Sequence, residues 1–349
     1  MAADRGAAIA LDAHGTDAGP SVIADGARAA AADGISVRVF GDPGQLGALE
    51  EVDGVEVVAA TESITNDDEP VRAVRSRPGA SVVLAAADVA EGRSRGLVSA
   101  GSTGAAMTAA LFALRRLPGL HRPALAVQVP VPSRDRPVVF LDVGANAEAR
   151  PQHLVQFAYL GSAFATVVLG IERPRVALLS IGEEQGKGTP LVVEAGAALD
   201  GADGLEFAGN VEGRDVPAGT VDVVVADGFT GNVAMKTMEG TASEVTGAVR
   251  SAARGNPVSA LGGLLLRPAL AGLRRRLDPD QTGGAILLGL RGVAVVAHGR
   301  SSADGIANAV RLAARAVGER VVDRTAELLE ESGAGRSALR EGGERDRTI

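Results

Sequence analysis

The sequence predicts an α/β fold in which helices cover both faces of a mostly parallel, doubly wound sheet. Short runs rich in Val and Ile alternate with Ala-rich stretches along the 349 residues. Most of these runs are apolar throughout, which is typical of strands buried on both faces. The order strand, glycine-rich loop, helix recurs at least four times, as it does in doubly wound sheets. We therefore expect one three-layer α/β/α catalytic domain over residues 1–330.

The β-branched runs predict strands, and the Ala-rich stretches between them predict helices. The predicted strands are 7–12, 36–40, 55–58, 96–99, 124–129, 138–142, 175–180, 205–208, 221–226 and 293–298. The predicted helices include 22–32, 45–51, 104–115, 152–169, 191–199, 232–253 and 302–330. Glycine-rich loops follow four of the strands, and such loops gather where strands end and ligands bind. The pattern therefore predicts one long cleft lined by Gly, Asn, Asp, Glu and Lys.

Two segments depart from this alternation. Residues 256–277 carry leucines and arginines at spacings that predict an amphipathic helical hairpin, which Pro268 divides into two short helices. A subunit interface explains the leucines, and an interfacial membrane foot explains leucines and arginines together; both interpretations remain open. Residues 331–349 are polar and charged with scattered Gly, which predicts a disordered tail. The predicted membrane-contacting leucines are Leu264, Leu265, Leu270 and Leu273.

The composition excludes several classes of function. With a net charge of −8, 2% aromatic residues and no Trp, nucleic acid is not expected as the main partner. The absence of Cys excludes disulfides, thiolate metal sites and a cysteine nucleophile. No secretion signal or run of eighteen apolar residues is found, which predicts a cytoplasmic protein. The four histidines are far apart, and neither a metal nor a cofactor is expected.

The two lysines are the most informative single residues. They stand against thirty-three arginines, and each follows a predicted strand in a glycine-punctuated segment. A lysine ammonium is a compact point charge, whereas a guanidinium is a planar fork. Glycine beside it lets backbone N–H groups approach an anion closely. Lys187 and Lys236 are therefore candidate phosphate ligands; the alternative is that both are chance surface residues.

Further polar residues cluster near these lysines. Two similar loops place Asp and Asn side chains at strand ends, and although such residues also cap turns, their recurrence favours a site. Glu183 and Glu184 precede Lys187, where a carboxylate keeps an ammonium charged and oriented; alternatively, both are solvated residues at a helix start. His298 ends a predicted strand and is either a proton donor or a structural residue.

The order of these motifs resembles the fatty acyl-[acyl-carrier-protein]:phosphate acyltransferases, the PlsX family. The matching segments, which span nearly the whole chain, are 9–17, 67–70, 99–105, 122–124, 141–146, 181–184 with 187–188, 209–215, 227–232 and 297–299. His14, Thr16 and Ser102 replace the usual Met, Gly and Asn, and Gly186 and Gly213 are also substitutions. The Glu183–Glu184 pair, Lys187 and the 228–232 signature are intact.

The resemblance implies that a fatty acyl group passes from an acyl-carrier-protein thioester to inorganic phosphate. The acyl phosphate would then feed a glycerol-3-phosphate acyltransferase. The family is similar in fold to the isocitrate/isopropylmalate dehydrogenases and phosphotransacetylases, forms homodimers, and associates peripherally with the membrane. Two other enzymes remain as alternatives: a phosphotransacetylase-like acyl-CoA:phosphate acyltransferase, and a nicotinamide-dependent dehydrogenase of the same fold, although the Gly-x-Gly-x-x-Gly spacing is absent. A third alternative, a non-catalytic membrane or carrier-protein scaffold, is disfavoured by the two lysines and the intact 228–232 signature.

This chemistry assigns a role to each group of candidate residues. The candidate catalytic residues are Lys187, Asn232, Lys236 and His298. The lysines would hold phosphate and developing charge, Asn232 would position phosphate or the oxyanion, and His298 would donate a proton to the departing thiolate. The candidate substrate- and phosphate-binding residues are Asp12, Gly101, Ser102, Thr103, Gly104, Asp142, Asn146, Glu183, Glu184, Asp227, Gly228, Phe229, Thr230 and Gly231.

Acyl-carrier proteins are acidic, so an acidic enzyme needs a local basic patch to bind one. Arg115, Arg116 and Arg122 form one candidate patch, and Arg267 with 274–276 forms another. The alternative for both is an ordinary solvated surface.

Overall fold

The sheet has eleven strands in the part of the chain that the computed structural model describes, residues 8–17, 19–276 and 278–334. The strands are β1 Ala8–Asp12, β2 Val37–Gly41, β3 Val55–Ala59, β4 Ser94–Ser99, β5 Ala124–Val129, β6 Val138–Leu141, β7 Arg175–Leu179, β8 Glu206–Val211, β9 Val223–Val225, β10 Ala285–Leu288 and β11 Val293–Val296. Their lateral order is β3-β2-β1-β4-β11-β10-β5-β6-β9-β7-β8.

Helices connect these strands and cover both faces of the sheet. They are α1 Pro20–Ala32, α2 Pro43–Leu46, α3 Pro70–Ser76, α4 Ser81–Ala90, α5 Thr103–Leu114, α6 Pro151–Leu169, α7 Pro190–Leu199, α8 Asp215–Ala218, α9 Gly228–Ala253, α10 Pro257–Arg276, α11 Ala303–Gly318 and α12 Val321–Glu331. Several of them begin with proline, whose fixed φ suits the first helical turn and whose missing N–H is not needed there.

The strand directions divide the sheet into two parallel blocks. Strands β3, β2, β1, β4 and β11 run one way, whereas β6, β9, β7 and β8 run the other way. The reversal arises because β10 is antiparallel to β11 and to β5, and β5 is antiparallel to β6. The carboxyl ends of β1, β4 and β11 therefore lie at one edge, the first edge. Those of β6, β9 and β7 lie at the opposite edge, the second edge.

Two apolar cores lie on the two faces of the sheet. Along β1, Ile9 and Leu11 belong to the core under α1, α6 and α11, and Ala10 belongs to the core under α4 and α5. Phe140 on β6 is fully buried in the second core, while its neighbour Leu141 is buried in the first. The apolar runs were thus correctly interpreted as strands buried on both faces.

Several predicted elements need correction. Strand β10, Ala285–Leu288, was missed because glycines surround a four-residue apolar run that is too short to assign by periodicity. Helices α3 and α4 were also missed. The predicted helix 302–330 is two helices, because Arg320 adopts a left-handed conformation, with φ 56°, between α11 and α12.

The predicted hairpin of two short helices at 256–277 is wrong in detail. Residues Pro257–Arg276 form one helix, α10, with Pro268 inside it. A proline inside a helix removes one backbone donor and crowds the carbonyl four residues earlier, and a helix can absorb this by kinking instead of ending. α10 packs against α9, and most of α9 is exposed. Together they form a two-helix arm.

Two further predictions concern membrane-spanning helices and the C-terminal tail. Among the described helices, α6 alone is long and apolar enough to cross a bilayer, but 78% of its apolar window is buried within the protein, as expected for a core helix. The chain still packs at Ala334, whose carbonyl accepts a hydrogen bond from Gln156. The predicted tail 331–349 therefore begins no earlier than residue 335, and its remainder lies outside the described residues.

Candidate functional site

Asp142 makes the most hydrogen bonds among the predicted site residues of the second edge. Its carboxylate is fully buried and accepts five hydrogen bonds: from the N–H groups of residues 125, 144, 145 and 146, and from the Asn146 amide. Burial raises the pKa of Asp142, and these hydrogen bonds oppose that rise. These hydrogen bonds use the acceptor sites of Asp142 to hold the loop in place.

Asn146 cannot offer its side-chain N–H groups to an anion. Its amide nitrogen donates to Asp142 at 2.8 Å and to the Pro123 carbonyl at 2.7 Å, which uses both amide hydrogens. The predicted role in positioning phosphate stays a prediction, and neither amide hydrogen of this side chain is free for it in this structure. Asn232 differs: its amide donates to the Val143 carbonyl at 3.0 Å, which leaves one hydrogen for a ligand.

The start of α9 is held against the Asp142 loop. Asp227 caps the helix by accepting bonds from the N–H of Thr230 at 2.9 Å and from its hydroxyl at 2.6 Å. Gly228 donates to the Asn146 carbonyl, and Gly231 donates to the Asp227 carbonyl. Of the four N–H groups predicted to face phosphate, only that of Phe229 has no partner among the described hydrogen bonds.

Lys187 lies on a pinned loop at the same edge. The loop follows β7, which pairs with β9, and the Lys187 carbonyl accepts a bond from the Ser180 hydroxyl at 2.9 Å. Asn210, from the end of β8, donates to the Glu184 carbonyl at 2.9 Å. The Lys187 side chain is exposed, and no described residue pairs with its ammonium. The backbone of the loop is thus held in place, while the Lys187 ammonium at its end makes no ion pair with a described residue.

The two glutamates do not orient Lys187 as one interpretation of the sequence suggested. Glu183 instead pairs with Arg214 at 3.3 Å, a residue that the sequence analysis had not singled out. Lys236 is also engaged, since its ammonium lies 2.9 Å from Glu239. It stands four residues after Asn232 on α9, so the two share one helix face.

The first edge holds a separate polar group centred on Asp12. This carboxylate is buried and accepts bonds from the hydroxyls of Ser81 at 2.6 Å and Ser99 at 2.7 Å. Burial raises the pKa of Asp12, and both hydroxyls oppose that rise. Ser99 also accepts the N–H of Gly101. Ser81 was missed by the sequence analysis because it lies 69 residues away, at the start of an unassigned helix.

The other predicted residues of the first edge follow β4 and β11. Ser102 is buried and immediately precedes α5, which begins at Thr103 and Gly104. Its side chain makes no capping hydrogen bond to that helix. His298 follows β11 at the same edge, is exposed, and accepts the N–H of Arg300 at 3.4 Å.

The residues predicted to line one cleft therefore divide into two groups, which follow strands that run in opposite directions. Asp12, the 101–104 loop and His298 lie at the first edge, whereas Lys187 and the 227–232 loop lie at the second. The reason is the reversal at β10 and β5, which the sequence analysis did not detect. No group of three His, Asp or Glu that could hold a metal occurs within the described ranges.

Comparisons with known proteins identify the family. A model of the family described as fatty acid synthesis protein matches residues 7–324. A phosphate acyltransferase of Elusimicrobium minutum is 46% identical over 88% of this chain and 92% of that protein. A phosphate acyltransferase of Heliobacterium modesticaldum is 45% identical over 88% of this chain and 93% of that protein.

A solved structure supports the fold independently. A phosphotransacetylase from Streptococcus pyogenes matches with a TM-score of 0.58 and 20% identity, covering 90% of this chain and 94% of that one. This likeness confirms the predicted phosphotransacetylase-like α/β fold. The family model and the sequence relatives go further than the fold, and they favour acyl transfer over the dehydrogenase alternative. The chain belongs to the fatty acid synthesis protein family, whose matching curated members are phosphate acyltransferases.

Proposed function

We propose that this phosphate acyltransferase takes a fatty acyl group from an acyl-carrier-protein thioester and gives an acyl phosphate. The observation that carries the proposal is the Lys187 ammonium, which pairs with no described residue and stands on a fixed loop at the second edge. An exposed cation without a protein partner is available to a phosphate dianion. Asn232 retains one amide hydrogen, and Phe229 retains its backbone N–H, so the same edge also offers neutral donors.

The reaction needs no covalent enzyme intermediate, and the chain has no Cys to form one. A phosphate oxygen attacks the thioester carbonyl carbon, the C–O bond forms, and the C–S bond breaks. The electron pair of that bond leaves on sulfur, and the thiolate takes a proton to give the carrier thiol. The Lys187 ammonium binds phosphate next to the carbonyl carbon and stabilises the negative charge that develops on the carbonyl oxygen. Asp142 and Asp227 keep the loops in place.

A homodimer would bring the two edges together. In one copy, His298 and Lys187 follow strands that run in opposite directions, and a second copy would offer each edge a facing edge. In the proposed dimer, the first edge of each copy faces the second edge of its partner. His298 of one copy then supplies the proton to the thiolate that leaves when phosphate, bound by Lys187 of the other copy, attacks the thioester. Equal mixing of inactive Lys187→Ala and His298→Ala chains should restore about a quarter of wild-type activity if dimers form at random.

The docking surface for the acidic carrier is proposed at Arg115, Arg116 and Arg122. No described carboxylate pairs with any of them, whereas many other arginines of this chain are paired. Arg291, missed by the sequence analysis, joins them, since its N–H and its guanidinium donate to the carbonyls of Arg115 and Arg116. Arg122 directly precedes Pro123, which Asn146 binds, so the patch adjoins the second edge.

The two-helix arm is the proposed peripheral membrane contact of a cytoplasmic enzyme. Leu264 and Leu265 are 61% and 74% exposed on α10. The side chains of Leu270, Leu273 and 274–276 lie outside the described residues. Attachment there would release the lipophilic product close to the bilayer, where a glycerol-3-phosphate acyltransferase would use it. Leu265→Glu should abolish co-sedimentation with anionic vesicles while leaving turnover on soluble substrate unchanged; sedimentation equal to that of wild type would refute the contact.

Trapping the acyl phosphate with hydroxylamine tests the proposed reaction. Loss of acyl-carrier-protein thioester should depend on phosphate, and the trapped hydroxamate should match the thioester lost. Lys187→Ala should lower turnover by about a hundredfold or more, and Arg250→Ala, which removes an exposed cation of α9, should not. Equal kcat/KM on acyl-CoA would instead favour the phosphotransacetylase-like alternative. Unchanged turnover in Lys187→Ala would remove the central assignment.

A further inference from the structure

A cavity of about 340 Å³ opens at the first edge, where the chain passes from β5 to β6. Its walls are the β5–β6 connection, the turn that precedes β10, and one face of α11. The volume lies in the range of small-molecule binding sites. None of the residues that line it belongs to the predicted catalytic or substrate-binding set.

The cavity is lined by four arginines and one acidic residue, Asp135. Two of the arginines are fixed by contacts behind the cavity wall. Arg134 pairs with Asp222 at 3.3 Å and donates to the Val221 carbonyl at 3.0 Å. Arg311 pairs with Asp33 at 2.6 Å. These contacts hold two guanidinium groups in place and neutralise much of their charge.

The other two arginines have no such compensation. Arg136 lies on the β5–β6 connection and Arg315 on α11, so they line the cavity from different walls. Both are exposed, and neither makes a side-chain hydrogen bond or an ion pair with any described residue. Like charges in one concavity repel each other and concentrate anions there. A guanidinium is also the side chain best matched to a phosphate group, because its donors form a planar fork.

Neutral donors complete the lining. Gln128 and Asn308 lie in the cavity wall, and Asn308 is held by donating to the Asp280 carbonyl at 2.8 Å and accepting from Arg311 at 2.7 Å. The space is equivalent to about ten water molecules, so it accommodates more than one inorganic phosphate. The lining therefore suits an organic molecule that carries a phosphate group.

We propose that this cavity binds the phosphate group of an organic phosphate, at a site separate from the Lys187 loop. Arg136 and Arg315 contact the phosphate, while Arg134 and Arg311 shape the walls. Two sources offer the same chemistry: the phosphodiester of the carrier's phosphopantetheine arm, and a free phosphorylated metabolite. Binding at this cavity does not rest on the proposed reaction, since it can be measured without turnover.

Titration calorimetry at fixed salt tests the site with inorganic pyrophosphate, 4′-phosphopantetheine and pantetheine as probes. The test variant is Arg136→Gln/Arg315→Gln, and the matched control is Arg95→Gln/Arg324→Gln, which removes the same charge from two exposed positions outside the cavity. A charged hydrogen bond contributes enough that its loss weakens binding by at least about tenfold. We expect the test variant to show this loss, and the control and Lys187→Ala to retain binding.

The outcomes separate the two sources. If phosphopantetheine binds at least about tenfold more tightly than pantetheine, and the test variant loses that difference, the carrier's arm is the ligand. If only pyrophosphate binding depends on the two arginines, a free phosphorylated metabolite is the ligand. Equal binding of the charged probes to the test variant and wild type would overturn the proposal, as would no binding of either charged probe to wild type. Both variants should unfold at the wild-type temperature, because the substituted residues are exposed.

Discussion

Gly231→Ala tests whether the contact between α9 and the Asp142 loop sets the geometry of the second edge. A Cβ atom at Gly231 would lie 1.9 Å from the Asp142 carbonyl oxygen and 3.0 Å from its carbonyl carbon. Neither atom can move easily, since the Asp142 carboxylate accepts five hydrogen bonds and its N–H donates to the Ala226 carbonyl. Overpacking of a core typically costs 1–3 kcal/mol. Because a backbone carbonyl cannot rotate away as a side chain can, we expect this clash to cost about 3 kcal/mol.

Urea unfolding and the hydroxylamine assay measure the two consequences. The free energy of unfolding should fall by about 3 kcal/mol, and turnover should fall because the start of α9 is displaced from the Lys187 loop. Gly240→Ala is the matched control: it lies on the same helix, and its Cβ would meet nothing within 4 Å. It should raise stability by up to about 1 kcal/mol, the difference in helix propensity. Gly231→Ala with full turnover and stability within about 0.5 kcal/mol of wild type would refute the reasoning.

Three further predictions follow from buried polar groups. Burial lowers the pKa of His153 from 6.5 to about 4. The free energy of unfolding should therefore be unaffected by this residue above pH 6.5 and should fall as the pH drops from 6.5 towards 4, because only the unfolded chain takes up the proton. In urea unfolding, His153→Gln should weaken that pH dependence. Ser81→Ala removes a donor to buried Asp12 and should cost about 1–3 kcal/mol; no loss would contradict the contact. Asn146→Ala should cost a similar amount, since it leaves the Pro123 carbonyl without its donor.

Much of the fold was predictable because it depends on local patterns. Strands such as β1 and β6 are buried on both faces, and this shows in the sequence as unbroken apolar runs, Ala8–Leu11 and Val138–Leu141. The start of α11 was equally visible, because Ser302 caps the helix through its own side chain. The start of α9 was placed four residues late, at 232, although Asp227 caps the helix in the same way. Periodicity could not give the direction in which each strand runs. The short β10, whose pairing reverses the sheet, carried no local signal strong enough to assign.

The site was predictable in its residue types but not in their partners. The sequence correctly placed Lys187 and Asp227 in loops after strands, yet Glu183 pairs with Arg214 and not with Lys187. Whether Asn146 has a free amide hydrogen depends on the Pro123 carbonyl, 23 residues away. Hydrogen bonds between distant segments arise only when the chain is folded, so no local motif reports them.

The sequence by itself determined the α/β class, the family, and the two lysines and glycine-framed loops that could meet a phosphate, because each of these depends on residue type and near neighbours. Only the tertiary structure decided that the loops divide between two opposite edges, that the Asn146 amide bonds Pro123 and Asp142, and that four arginines line a cavity near β10. The physical reason is that strand direction and long-range pairing are set by packing of the whole sheet, which residues far apart in the chain decide together.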